Sequence, residues 1–173
     1  FFRAAALIGQ ARPGARFLVP AVPHLLERVR ALADASGLGE AVHVLPGQSH
    51  QALAACDVAL VASGTATLEV ALCKRPMVIS YKISPLTYAL VKHKIKVPYV
   101  GLPNVLLGRA AVPELLQHDA EPEKLAAALL DWYHSPEKTA ALQQDFTELH
   151  RLLRKDTAAE AATAVLAAAG ANP

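Results

Sequence analysis

Asp57-Val58-Ala59-Leu60-Val61-Ala62-Ser63-Gly64-Thr65-Ala66-Thr67-Leu68-Glu69 decides how the rest of the chain is read. Residues 58–61 are short, apolar and β-branched at both ends, which predicts a buried parallel strand. Ser63-Gly64-Thr65 breaks the run, and residues 67–72 have helix-forming composition. Such a turn joins the carboxyl end of a strand to the amino end of a helix. It leaves backbone N–H groups unpaired at the positive end of a helix dipole, a natural place for an anion and commonly a phosphate. On these residues alone the plainer reading, a βα turn capped by hydroxyls, stays open.

Outward from this stretch the chain alternates. Strands are predicted at 16–20, 41–45, 58–61 and 76–80, with a short last one at Tyr99-Val100. Helices are predicted at 1–9, 22–36, 48–56, 65–74 and from Ser84-Pro85 to about 94, with a loop over 101–108. This β-α alternation predicts an α/β fold: a Rossmann-like parallel sheet with helices on both faces, joined by right-handed crossovers. After Arg109 only helices are expected. Leu125, Ala128, Leu129, Trp132 and Tyr133 form one stripe. Ser135-Pro136-Glu137 caps a second helix with Leu142, Phe146, Leu149 and Leu153 inward, and Thr157 to Glu160 has capping-box spacing for a third. The expected organisation is a nucleotide-binding domain over 1–120 and a helical segment over 121–173.

Composition narrows the class. The chain has 173 residues, 53% hydrophobic and 18% charged, so it has material for a sizeable core and is not disordered. A net charge of +2 argues against nucleic acid as a partner. Cys56 and Cys73 lack metal or redox spacing and read as buried thiols of a reducing compartment. No apolar run reaches the ~18 residues of a membrane span. Phe1-Phe2-Arg3-Ala4-Ala5-Ala6-Leu7-Ile8 begins as helix without a Met or a cap, which predicts a chain truncated within a longer protein.

Ligands of open α/β sheets bind beyond the carboxyl ends of the strands. That rule selects three loops: Leu45, Gly47 and Gln48; Ser63, Gly64 and Thr65; and the loop carrying Asn104. Glu69 lies one helical turn past Thr65, where its carboxylate suits the two hydroxyls of a ribose, although a solvated helix residue fits the same position. GxGxxG, Walker, GxSxG and HExxH patterns are absent, and no histidine pair has metal-ligand spacing, so neither a metal nor a cofactor is expected. Ser63 has no base near it in sequence and reads as a phosphate binder rather than a nucleophile. Lys82, Lys92, His93, Lys94 and Lys96 flank an apolar segment, either as a surface for anionic lipid or a phosphorylated substrate, or as a solvated helix end.

Residues 54–69 resemble the donor-binding half of glycosyltransferases built from two Rossmann-like domains, the GT-B architecture. Lys74-Arg75-Pro76-Met77-Val78 with Tyr81-Lys82, then Tyr99-Val100-Gly101-Leu102-Pro103-Asn104 and Val112-Pro113-Glu114-Leu115-Leu116-Gln117, resemble the lipid-A-disaccharide synthase family. The resemblance runs in order from about residue 1 to 167. It implies an inverting, metal-independent transfer from UDP-2,3-diacylglucosamine to 2,3-diacylglucosamine 1-phosphate (lipid X), giving the lipid A disaccharide 1-phosphate and UDP. It implies donor binding by Ser63, Gly64 and Thr65 at the diphosphate, Glu69 at the ribose, and Leu45, Gly47 and Gln48 at the uracil, with Thr67 also among the donor-binding residues and Asn104 near the donor. It also implies a cytoplasmic protein peripheral on the anionic inner face of the inner membrane. The C-terminal helices could pair two subunits as a homodimer.

The family's Gly-Ser-Arg turn and N-terminal domain have no counterpart here, so no catalytic base can be named. The neighbouring readings are another UDP-sugar glycosyltransferase, a UDP-GlcNAc epimerase domain, or a non-catalytic nucleotide-binding module. A purified 1–173 chain is expected to bind UDP weakly at most and to transfer no sugar. Turnover of acylated donor and acceptor by this chain alone, followed by thin-layer chromatography, would refute that expectation.

Overall fold

The computed structural model describes residues 1–84, 87 and 98–170. The order of elements is α1 (Phe2–Ala11), β1 (Phe17–Ala21), α2 (Leu26–Asp34), β2 (Val42–Pro46), α3 (Ser49–Ala55), β3 (Ala59–Ala62), α4 (Thr65–Leu72), β4 (Met77–Tyr81), α5 (Leu102–Leu107), β5 (Glu114–Leu116), α6 (Pro122–His134), α7 (Pro136–Leu153) and α8 (Thr157–Ala168). Each strand or helix expected up to residue 81 is present within a few residues. The helix expected from Ser84-Pro85, and most of the basic run around it, lie outside the described residues.

Among the described residues all strand pairings are parallel, as short βα alternation requires. Among these residues the sheet is in two pieces. β1 pairs with β2 in register Phe17 to Val42, while β4 lies between β3 and β5 with Ala59 opposite Met77 and Ile79 opposite Glu114. A cleft of about 770 Å³ separates the β1 and β3 edges. Runs of consecutive residues from both strands line it, including Phe17, Leu18, Val19, Ala59 and Leu60. The strands therefore meet the cleft edge-on.

β4 is the centre of the core. Met77, Val78 and Ile79 are fully buried and Ser80 nearly so. Successive side chains of a strand point to opposite faces, so β4 is covered on both. α6 packs on β3 and β4, α4 packs on β3, and α1 lies along α6. Trp132, buried on α6, donates its indole N–H to the Met77 carbonyl at 3.0 Å and so ties helix to sheet. Leu125, Leu129, Leu142, Phe146 and Leu149 complete the cluster from α6 and α7.

Several expectations are corrected. Tyr99-Val100 is not a strand; β5 at Glu114–Leu116 is, so the chain after Arg109 is not helix alone. Three residues flanked by Pro113 carry too little periodicity to read, and β5 exists only through its pairing with β4. The 101–108 loop is α5, opened by Pro103 near its first position, where a missing N–H costs nothing, and closed by Gly108 in the left-handed region at φ 66. Leu153 is exposed, and Tyr133 at the edge of the α6 stripe lies under the Arg12 guanidinium, 3.5 Å from its centroid. The Ser135 side chain makes no cap bond, and α8 is capped by Asp156, which accepts from Ala159 N–H at 3.1 Å, one residue before the expected Thr157. Cys56 and Cys73 are free but only half-buried.

Trp132→Phe removes one buried hydrogen bond and part of a large apolar contact. It should lower stability by about 1–3 kcal/mol in urea unfolding followed by circular dichroism.

Candidate functional site: a glycine turn at the carboxyl edge of β3

The chain leaves β3 at Ala62 and turns through Ser63 and Gly64 into α4. Gly64 adopts φ 142 and ψ −166, a region open essentially to glycine alone. This turn needs that residue for its backbone, since a Cβ there would meet nothing within 4 Å. Two hydroxyls brace the turn. Thr67, fully buried, donates Oγ1–H to the Gly64 carbonyl at 2.7 Å, and its own N–H reaches the same oxygen at 3.1 Å. Ser63 donates Oγ–H to the Val100 carbonyl at 3.0 Å, across 37 residues of sequence.

What remains for a ligand is backbone and the exposed Thr65 hydroxyl. Thr65 and Ala66 are exposed at the start of α4, where the first N–H groups of a helix have no partner within it. No carboxylate stands in the first turn of α4 to occupy the dipole's positive end. This end of β3 therefore favours an anion.

The 98–104 segment is joined to the turn. Besides the Ser63 bond, Val100 and Gly101 N–H donate to the Glu114 carboxylate at 2.9 and 3.0 Å. Asn104 is fully buried on α5 and its amide is committed within the fold. Nδ2 donates to the Val112 carbonyl at 2.9 Å and to Glu114 at 2.8 Å, while Oδ1 accepts Val112 N–H at 2.9 Å. Glu114 had no expected role from sequence. The available signal was a lone carboxylate inside the apolar Val112-Pro113-Glu114-Leu115-Leu116.

Two of the three expected loops thus share bonds. The third ends β2: Leu45 is half-buried within the strand, Gly47 takes φ 70 and donates its N–H to the Ala21 carbonyl at 2.8 Å, and Gln48 is exposed at φ 59. It belongs to the β1–β2 piece, across the cleft from β3. Glu69 is half-buried one turn into α4 and lines that cleft. Cys56, at the end of α3, donates its Sγ–H to the Leu53 carbonyl, and burial pushes its thiol pKa up, which disfavours the reactive thiolate.

A family model described as lipid-A-disaccharide synthetase matches residues 1–166. The chain belongs to that family. It is 63% identical over 172 residues to a lipid-A-disaccharide synthase of Neisseria meningitidis serogroup A, covering 98% of this chain and 45% of the relative. It is 49% identical to that of Verminephrobacter eiseniae, over 96% of this chain and 45% of the relative. The Pseudomonas savastanoi enzyme is also 49% identical, over 98% and 44%. The chain therefore spans less than half the length of these family members. Among the described residues no helix is long and apolar enough to cross a membrane.

Gly64→Ala keeps every side-chain contact but forces the backbone out of a glycine-only conformation. It should cost about 1–3 kcal/mol in urea unfolding, because the added methyl has space and only the dihedral is penalised.

Proposed function

We propose that the full-length protein is a glycosyltransferase that makes the lipid A disaccharide, and that this chain carries its donor-binding part. The observation that carries the reading is the glycine turn before α4, with its free helix N–H groups and no acidic first turn, in a chain of this family. The donor is a UDP-activated diacylglucosamine and the acceptor a diacylglucosamine 1-phosphate. The diphosphate lies on the Thr65 and Ala66 N–H groups, with the Thr65 hydroxyl as a further donor. Gly64 lets the backbone approach, while Ser63 and Thr67 keep the turn in shape. Glu69 accepts from the ribose hydroxyls, and Leu45, Gly47 and Gln48 face the uracil.

The chemistry is a displacement with inversion. An acceptor hydroxyl oxygen forms the new bond to the anomeric carbon as the bond to UDP breaks. The acceptor's proton passes to a base supplied from outside this chain. Charge developing on departing UDP is held by preorganised N–H groups and the α4 dipole, the task a metal ion performs in other transferases. Both substrates carry acyl chains, so the reaction belongs at a membrane surface, and the family resemblance puts it at the cytoplasmic face of the inner membrane. α8 is exposed along its length, with Val165 67% and Leu166 42% exposed, and offers a second copy of the protein an apolar stripe.

The test is UDP titration followed by isothermal calorimetry. Glu69→Ala should weaken UDP about tenfold or more, since a hydrogen bond to a charged group is worth about 1.5–3 kcal/mol. Ser63→Ala should weaken it by a smaller factor, and UMP should bind more weakly than UDP. Unchanged UDP affinity in both variants would contradict the assignment.

A further inference from the structure

Glu114 lies at the head of β5, on the strand beside β4, away from the turn that the donor reading uses. Its carboxylate accepts three hydrogen bonds from one short segment: Val100 N–H to Oε2, and Gly101 N–H and Asn104 Nδ2–H to Oε1. Asn104 is clasped a second time, by the Val112 N–H and carbonyl. Both amide protons of Asn104 are spent on these bonds, so the side chain has none to give a ligand without breaking its buried network. The residue that Glu114 holds by its N–H, Val100, holds Ser63 by its carbonyl. Ser63 immediately precedes Gly64 in its glycine-only conformation.

We propose that Glu114 is a positioning residue for the anion turn. By fixing the Val100–Gly101 backbone it fixes the carbonyl that anchors Ser63, and so presets the Ser63-Gly64-Thr65 turn before the ligand arrives. Asn104 acts in the same clamp and not by touching the donor. The packing around Gly101 fits this tight fastening: a Cβ there would stand 2.2 Å from Ile79 Cδ1 and 3.1 Å from Glu114 Oε1. Glutamine cannot replace Glu114, because its NH₂ would meet an N–H donor where an oxygen now accepts. The inference rests on the donor reading only for its consequence on affinity; the clamp itself is a statement about the turn.

The two are separated by measuring ¹H–¹⁵N spectra and UDP affinity together on the full-length protein, as wild type, Glu114→Gln, Ser63→Ala and the double variant. In a folded Glu114→Gln chain the Ser63 and Gly64 amide signals should shift, although about 50 residues separate them from the substitution. UDP affinity should fall about fivefold in each single variant, and in the double variant no further than in the weaker single. A role limited to holding β5 would leave the Ser63 and Gly64 signals in place and make the two losses multiply, and either result overturns the proposal. If wild type shows no response to UDP, the donor reading fails, while the Ser63 and Gly64 signals still decide the clamp. Should Glu114→Gln not fold, Glu114→Asp keeps the charge, withdraws the carboxylate by one methylene, and is judged by the same signals.

Discussion

Everything in this domain hangs from the burial of β4. A parallel strand leaves no face for water, and Met77, Val78 and Ile79 are covered completely. β3 and β5 occupy its two edges, and α6 closes one face through Trp132 and its leucines. The site follows from that arrangement. β3 delivers Ser63 and Gly64 at its carboxyl end, and β5 delivers Glu114 beside Ile79, within reach of the backbone that returns at Val100. If β4 were solvated on one face, neither turn nor clamp would have a fixed frame.

The site is made mostly of backbone, and its side chains act on backbone. Ser63, Thr67 and Glu114 hold main-chain groups of the turn or of the segment next to it, and Asn104 holds the main chain at Val112. A glycine-only conformation is kept because its surroundings determine it from both sides. Such an arrangement suits the binding of phosphate charge, since rigid N–H groups stabilise an anion without reorganising.

The strand–turn–helix at 58–72 was legible because it is written locally: an apolar run, a small-residue break, then helix formers. The helices from α1 to α4 and the α6 stripe were legible for the same reason. β5 was not, because three residues with a carboxylate at their head acquire strand character only against Ile79 and Tyr81. The α5 sequence reads as loop because Gly101, Pro103 and Gly108 punctuate it, although proline in a first helical turn marks a helix start. Asn104 was legible as special but not for its bonds, whose partners lie eight and ten residues away and depend on tertiary packing. The separation of the β1–β2 piece from β3 has no local signal, and nothing in the spacing of strands reveals it.

The central claim is that the turn at Gly64 holds the diphosphate of the donor. A crystal structure of the full-length protein with UDP tests it most directly. The claim predicts phosphate oxygens within hydrogen-bond distance of the Thr65 and Ala66 N–H groups and a ribose hydroxyl on Glu69. UDP seated at another strand end, with the α4 N–H groups facing only water, would contradict it.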